Sequence, residues 1–257
     1  MLAAILAASA IAELRSIPRA DVAFLLFATG RVLDGARLYV DVVEINPPLI
    51  VALNMPVVLA ARALALPPVL VYQLAVFALL GLTLATSSRL FRRLLPDDPE
   101  LGRGLIVLLG LVLFAMPGLD FGEREHLMLA LILPYVWLVG ARTVGWAPPA
   151  RLGALVGACA GVGFALKPQF LPALLLLEGY RRWQADRRFS APTPESLVIL
   201  TVLLAYGLIA LLVTPEYFPM VGLLGAAYGR FLYEPLGQLL VTSPSSPLTL
   251  LSVLAFL

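Results

Sequence analysis

Residues 152–177, LGALVGACAGVGFALKPQFLPALLLL, decide what kind of chain this is. A run this apolar belongs in a bilayer, where a spanning helix takes roughly 20 residues. Lys167 is its only charge, and Pro168 directly after it cannot continue the helical hydrogen-bond ladder. The run therefore reads as two legs with a break at the charge. The first leg, 152–166, rises about 22 Å at ~1.5 Å per residue, less than the ~30 Å hydrocarbon thickness. That places Lys167 at an apex sunk below a membrane surface. An ammonium facing lipid costs about 2.5–3.5 kcal/mol, so such a group faces a cavity or a partner. A structural salt bridge to a carboxylate and a contact to an anionic ligand both satisfy it. Gly153, Gly157 and Gly161 recur every four residues and make a small-residue stripe that lets another helix approach closely. They are no dinucleotide fingerprint, since GVGFALK follows a membrane helix and lacks the third glycine.

Composition agrees. With 61% hydrophobic and 13% charged residues and a mean hydropathy of +0.95, the chain has too little polar side chain to cover a water-soluble globule. It is an all-α, polytopic transmembrane helical bundle. A net charge of +2 excludes a nucleic-acid partner as the reason for the basic residues. The single cysteine, Cys159, excludes an intrachain disulfide or a thiolate cluster, and the single histidine, His126, excludes a multi-histidine zinc site. No G-x-S-x-G elbow supports a serine hydrolase. The start, MLAAILAASAIAEL, lacks the basic segment of a secretory signal and is short for a span.

The other candidate spans are 69–88, 104–118, 127–141 and 196–213. Between them lie three arginine-rich loops: 89–103 (Arg89, Arg92, Arg93, Arg103), 141–151 (Arg142, Arg151) and 181–188 (Arg181, Arg182, Arg187, Arg188). By the positive-inside rule all three face the cytoplasm. The loop GLDFGEREH, 118–126, is then external, a second external loop carrying Asp120, Glu123, Glu125 and His126. If the first segment starts in the cytoplasm, residues 14–68 form a first external loop, and LIVALNMPVVLAARALALPP within it lies along the interface as a juxtamembrane helix. The alternative is that 49–66 crosses, which would put Arg89 to Arg103 outside. Arg151 and Arg181 share a side, so 152–177 is a hairpin or re-entrant pair.

These placements gather Asp21, Asp41, Glu44, Asp120, Glu123, Glu125 and His126 at one face, with Lys167 beneath. Carboxylates there can serve as a general base on a hydroxyl, as ligands for a divalent cation, or as sugar acceptors, and a lysine can neutralise a phosphate. His126 reads more simply as a hydrogen-bonding helix-start residue, and Arg124, between two glutamates, as a local ion pair.

Three stretches, in order, carry a resemblance. PRADVAFLLFATGRVLDGARLYVDVVEINPPL (18–49), with an acidic residue, an apolar helix, a G-x-x-x-Y-x-D step and a Pro-Pro pair, resembles the first external loop of bacterial GT-C glycosyltransferases. FGEREHLMLALILPY (121–135) resembles their acidic second external loop, and GVGFALKPQFLPALLL (161–176) their small-residue helix ending in Lys-Pro. The resemblance covers about half the chain, from Asp21 to Leu177. It implies a single GT-C-like domain over 1–257, incomplete at its C-terminus, in a bacterial inner membrane with its site on the extracytoplasmic side. It further implies transfer of a sugar from a polyprenyl-phosphate donor to an acceptor hydroxyl. Asp21 takes the position of the family's general base. Asp41, Glu44, Glu125, His126 and Lys167 are the donor- and substrate-binding candidates, and no cofactor is implied beyond a divalent cation that some members use. Two departures stand out: Val22 follows Asp21 where an acid is frequent, and Asn46, not a basic residue, precedes Pro47-Pro48. Phosphate binding then falls to Lys167 or to an arginine outside these motifs. A transporter or flippase of a lipid-linked anion is the rival reading, because it too uses a broken helix beside a lysine; a structural membrane subunit is the third.

Overall fold

The computed structural model describes residues 2–16, 18–184 and 192–231. Arg187, Arg188 and the segment 232–257 lie outside the described residues. The described chain is all-helical: α1 (Leu2–Arg15), α2 (Ala20–Leu33), α3 (Pro48–Leu64), α4 (Pro68–Leu94), α5 (Pro99–Gly110), α6 (Arg124–Thr143), α7 (Ala150–Leu166), α8 (Leu171–Gln184), α9 (Pro194–Val213) and α10 (Tyr217–Phe231). Several starts are written in the sequence. Proline occupies the first turn of α3, α4, α5 and α9, where its missing N–H is not needed. Asp98 caps α5 by accepting from the Leu101 amide at 2.9 Å, and Thr193 caps α9 through the Ser196 amide.

Three helices, α4, α6 and α9, are long and apolar enough to cross a membrane, and the bent pair α7–α8 makes a fourth if counted as one span. On α9, Leu200, Leu204 and Leu208 stay exposed at four-residue spacing, as a lipid-facing stripe does. The run 104–118 is helical, but α5 passes at Leu111–Ala115 into a π-helical turn and then, from Gly118, a short 3-10 turn. α3, at 17 residues, reaches about 25 Å.

The break at Lys167 is present. α7 and the segment beginning at Pro168 are bent by 114° across it. α7 is held by its glycines. An added Cβ at Gly157 would lie 2.6 Å from the Glu195 carbonyl oxygen, and one at Gly161 2.8 Å from the Val202 Cβ. The small-residue stripe is therefore the seat of α9. On its other side α7 packs on α6, where a Cβ at Gly163 would meet Ile132 at 2.9 Å, and α6 packs on α4. Buried Leu80, Leu113, Tyr135, Leu138 and Phe164 fill these contacts. α2 and α3 pair through Arg62, which bonds the Gly30 carbonyl at 3.2 Å and Asp34 at 3.0 Å.

At the arginine-rich end of the bundle a buried and a part-buried glutamate are closed by their own partners. Arg142 clamps the fully buried Glu195 through Nε and Nη2, the latter at 2.9 Å. Glu178 receives Tyr135 and Ser196 hydroxyls at 2.6 Å and Arg181 at 2.8 Å. They are satisfied networks that lock α6, α8 and α9 together.

Candidate functional site

The other end of the bundle is built on the turn between the π-helical segment and α6. Gly122 has φ +76°, and a Cβ there would fall 2.8 Å from the Tyr72 ring. Only glycine fits on both counts. Its carbonyl accepts the Tyr72 hydroxyl from α4, and its amide donates to His126 Nδ1 at 3.0 Å. His126 Nε2 in turn meets the Leu113 carbonyl at 2.8 Å. With Nδ1 accepting, Nε2 is the donor, so the ring is the neutral tautomer. Phe121 packs on Phe77 and on the His126 ring, with centroids 4.8 Å and 5.3 Å apart. His126, expected as a donor contact facing the exterior, is buried with both ring nitrogens on backbone groups. It braces the loop and has no nitrogen left for a ligand.

This brace aims the start of α6 at two distant segments. Arg124 reaches Asp21, in the first turn of α2, at 3.5 Å. Glu125 pairs with Lys167 at the α7 break. Arg19, just before α2, bonds Glu123 at 3.2 Å and also Asp120. Helix polarity favours part of the pattern: Asp21 and Glu125 lie in first turns, where negative charge is stabilised, and Lys167 caps the negative end of α7. Arg124, at the unfavourable end of α6, is offset by Asp21, and its buried Nε has no hydrogen-bond partner among the described residues. The Lys167 side chain is only 12% exposed, against 49% for Glu125.

Three cations and four carboxylates meet here, for a formal sum of −1. Every carboxylate faces a cation, and among the described residues no three His, Cys, Asp or Glu side chains are close enough to hold a metal ion. The residues present do not form a ready divalent-cation site. What the arrangement can do is hold a half-exposed carboxylate, Asp21, beside two cationic groups, Arg124 and Lys167, each paired with a carboxylate.

Asp41 and Glu44 fold the loop that follows α2. Asp41 accepts the Arg37 amide at 2.8 Å on the surface. Glu44 Oε1 accepts the Ile45 and Asn46 amides at 2.7 Å, while its buried Oε2 has no partner among the described residues. Tyr39, at φ +69°, donates to the Asn46 carbonyl at 2.5 Å. Burial, and after it the neighbouring Tyr217, holds the Tyr39 phenol well above its ordinary range. Among the described residues no hydrogen bond or ion pair joins Asp41 or Glu44 to Asp21, Glu125 or Lys167.

Sequence reasoning did not single out Arg19 or the Tyr72–Gly122 clamp, and it gave Arg124 a local partner. The available signal was proximity: Arg19 stands two residues before Asp21, and Arg124 lies inside the acidic loop. Comparison of the chain with known family models, curated proteins and solved structures returns no match.

Proposed function

We propose that this chain is an integral-membrane glycosyltransferase of GT-C type, moving a sugar from a polyprenyl-phosphate donor to an acceptor hydroxyl on the extracytoplasmic side of a bacterial inner membrane. One observation carries the reading: Asp21, Arg124–Glu125 and Lys167, from three separate stretches that each resemble that family, meet at one end of a helical bundle. The opposite end carries the arginines of the positive-inside rule, which supports an extracytoplasmic site. In this reading α2 and α3 lie along the interface and frame the site.

The chemistry is a direct displacement. Asp21 accepts the proton of the acceptor hydroxyl; the oxygen forms a bond to the anomeric carbon as the bond from that carbon to the phosphate oxygen breaks. Lys167 and Arg124 neutralise the charge that builds on the departing lipid phosphate. Since Glu125 pairs with Lys167, donor binding must exchange a carboxylate for a phosphate on the same ammonium. Glu125, half-exposed, is then free to take sugar hydroxyls. No step is assigned to a metal.

The test is donor binding to membranes containing the chain. Lys167→Ala is expected to weaken binding of a polyprenyl-phosphate sugar tenfold or more, and Glu125→Gln to leave it equal or tighter. Equal binding by Lys167→Ala and wild type would remove the phosphate role. The 114° break beside Lys167 also favours a second reading, movement of a lipid-linked anion. Translocation of intact donor across vesicles with no sugar released would select it.

A further inference from the structure

A groove of about 780 Å³ opens between α4, α6 and α7 at the end of the bundle away from Asp21 and Lys167. Its walls are apolar, with Leu79, Ala130 and Leu155 among them, and its mouth carries Arg89, Arg92 and Arg93. All three arginines are exposed, and none forms an ion pair among the described residues. This contrasts with Arg142 and Arg181 nearby, each of which is closed by a glutamate, fully buried Glu195 and part-buried Glu178.

We propose that the groove is a binding site for an anionic phospholipid of the adjoining leaflet, with an acyl chain between α4 and α7 and its phosphate on the arginine triad. The charge and shape select this occupant. A groove of this size falls within the roughly 300–1,000 Å³ of small-molecule sites, and three arginines spaced along one helical end match a phosphate and its glycerol ester oxygens. A second copy docking by two-fold symmetry would set one triad against another. A polyprenyl-phosphate donor fits less well: Tyr72, at the Asp21 end of α4, and Arg89 are separated along one helix by about 25 Å at ~1.5 Å per residue. A donor phosphate on the triad would sit across the membrane from the proposed site. The bound lipid would wedge α7 against α4 and steady the leg that carries Lys167.

The experiment uses the full chain, purified in detergent, stripped of lipid and titrated by native mass spectrometry with phosphatidylglycerol, phosphatidylethanolamine and undecaprenyl phosphate. Phosphatidylglycerol should bind at least tenfold more tightly than phosphatidylethanolamine. A basic side chain near an anionic headgroup is worth a factor of about five, so Arg92→Ala should lose about fivefold and the triple Arg89/Arg92/Arg93→Ala variant on the order of a hundredfold. Arg151→Ala, an exposed arginine at the same end that does not line the groove, should lose nothing. Leu155→Trp, which fills the groove from a side chain already 64% exposed, should displace the lipid with helical content unchanged by circular dichroism. Equal affinity for the two phospholipids would overturn the proposal. So would an equal loss with Arg151→Ala, retention in Leu155→Trp, or preference for undecaprenyl phosphate.

Discussion

Substituting Gly157 by alanine tests how Lys167 is held. The added Cβ would lie 2.6 Å from the Glu195 carbonyl oxygen and 2.8 Å from its Cα, both backbone atoms that cannot swing aside. Reaching even the 3.4 Å edge of ordinary contact requires α7 and α9 to part by about 0.8 Å. Overpacking of this kind costs about 1–3 kcal/mol, while replacing a helical glycine by alanine recovers about 1 kcal/mol of propensity. The net expectation is a loss of up to about 2 kcal/mol. Gly207→Ala on α9, where nothing lies within 4 Å of the added carbon, gains the propensity term alone. Reversible unfolding of both variants in detergent, followed by circular dichroism, should separate them by about 1–3 kcal/mol with Gly207→Ala the more stable. If Gly157→Ala is as stable as Gly207→Ala, the α7–α9 contact is not the close approach described, and the placement of Lys167 loses its support.

Other outcomes follow from the same contacts. Glu195→Gln leaves Arg142 without its counter-charge and should cost about 3–5 kcal/mol in the same unfolding measurement; a cost below about 1 kcal/mol, the size of an exposed pair, would mean that the pair is solvated. Tyr72→Phe removes the donor to the Gly122 carbonyl and should cost about 0.5–1.5 kcal/mol, with faster proteolysis of the 118–126 loop as the local readout. The Tyr39 phenol is held above its ordinary value in the fold. Its contribution is therefore full below about pH 10, the unfolded value, and is lost as pH rises through the folded one. Tyr39→Phe should flatten the alkaline loss of stability, and an unchanged profile would show that the phenol does not titrate in that transition.

The break at residue 167 was legible because proline chemistry is local: a charge followed by Pro168 ends a helix whatever surrounds it. The glycine stripe announced a close approach but could not name its partner, since Glu195 and Val202 are set by the path of α9. Helix lengths were legible where polarity changed and blurred where it did not. α4 runs on to Leu94 beyond the apolar run ending at 88, because arginine is a good helix former and suits a helix C-terminus. The π-helical turn left no mark in the apolar run 104–118, although it provides the Leu113 carbonyl that His126 meets. The site was readable as a set of charges and not as a set of pairs. Asp21 and Arg124 are more than a hundred positions apart, and no period or spacing links them; the Tyr72–Gly122 clamp depends on a positive φ that only the folded turn reveals.

The central claim concerns Asp21 as the base in sugar transfer, and the most direct measurement is transfer itself. Membranes containing wild type or Asp21→Asn, at matched levels of folded protein, are supplied with a panel of labelled polyprenyl-phosphate sugars, and the label reaching acceptor is counted. The account predicts transfer from at least one donor by wild type and a loss of a hundredfold or more in Asp21→Asn with donor binding retained, as removal of a general base produces. Transfer undiminished in Asp21→Asn would contradict the assignment of the base, and no transfer from any donor would contradict the glycosyltransferase reading.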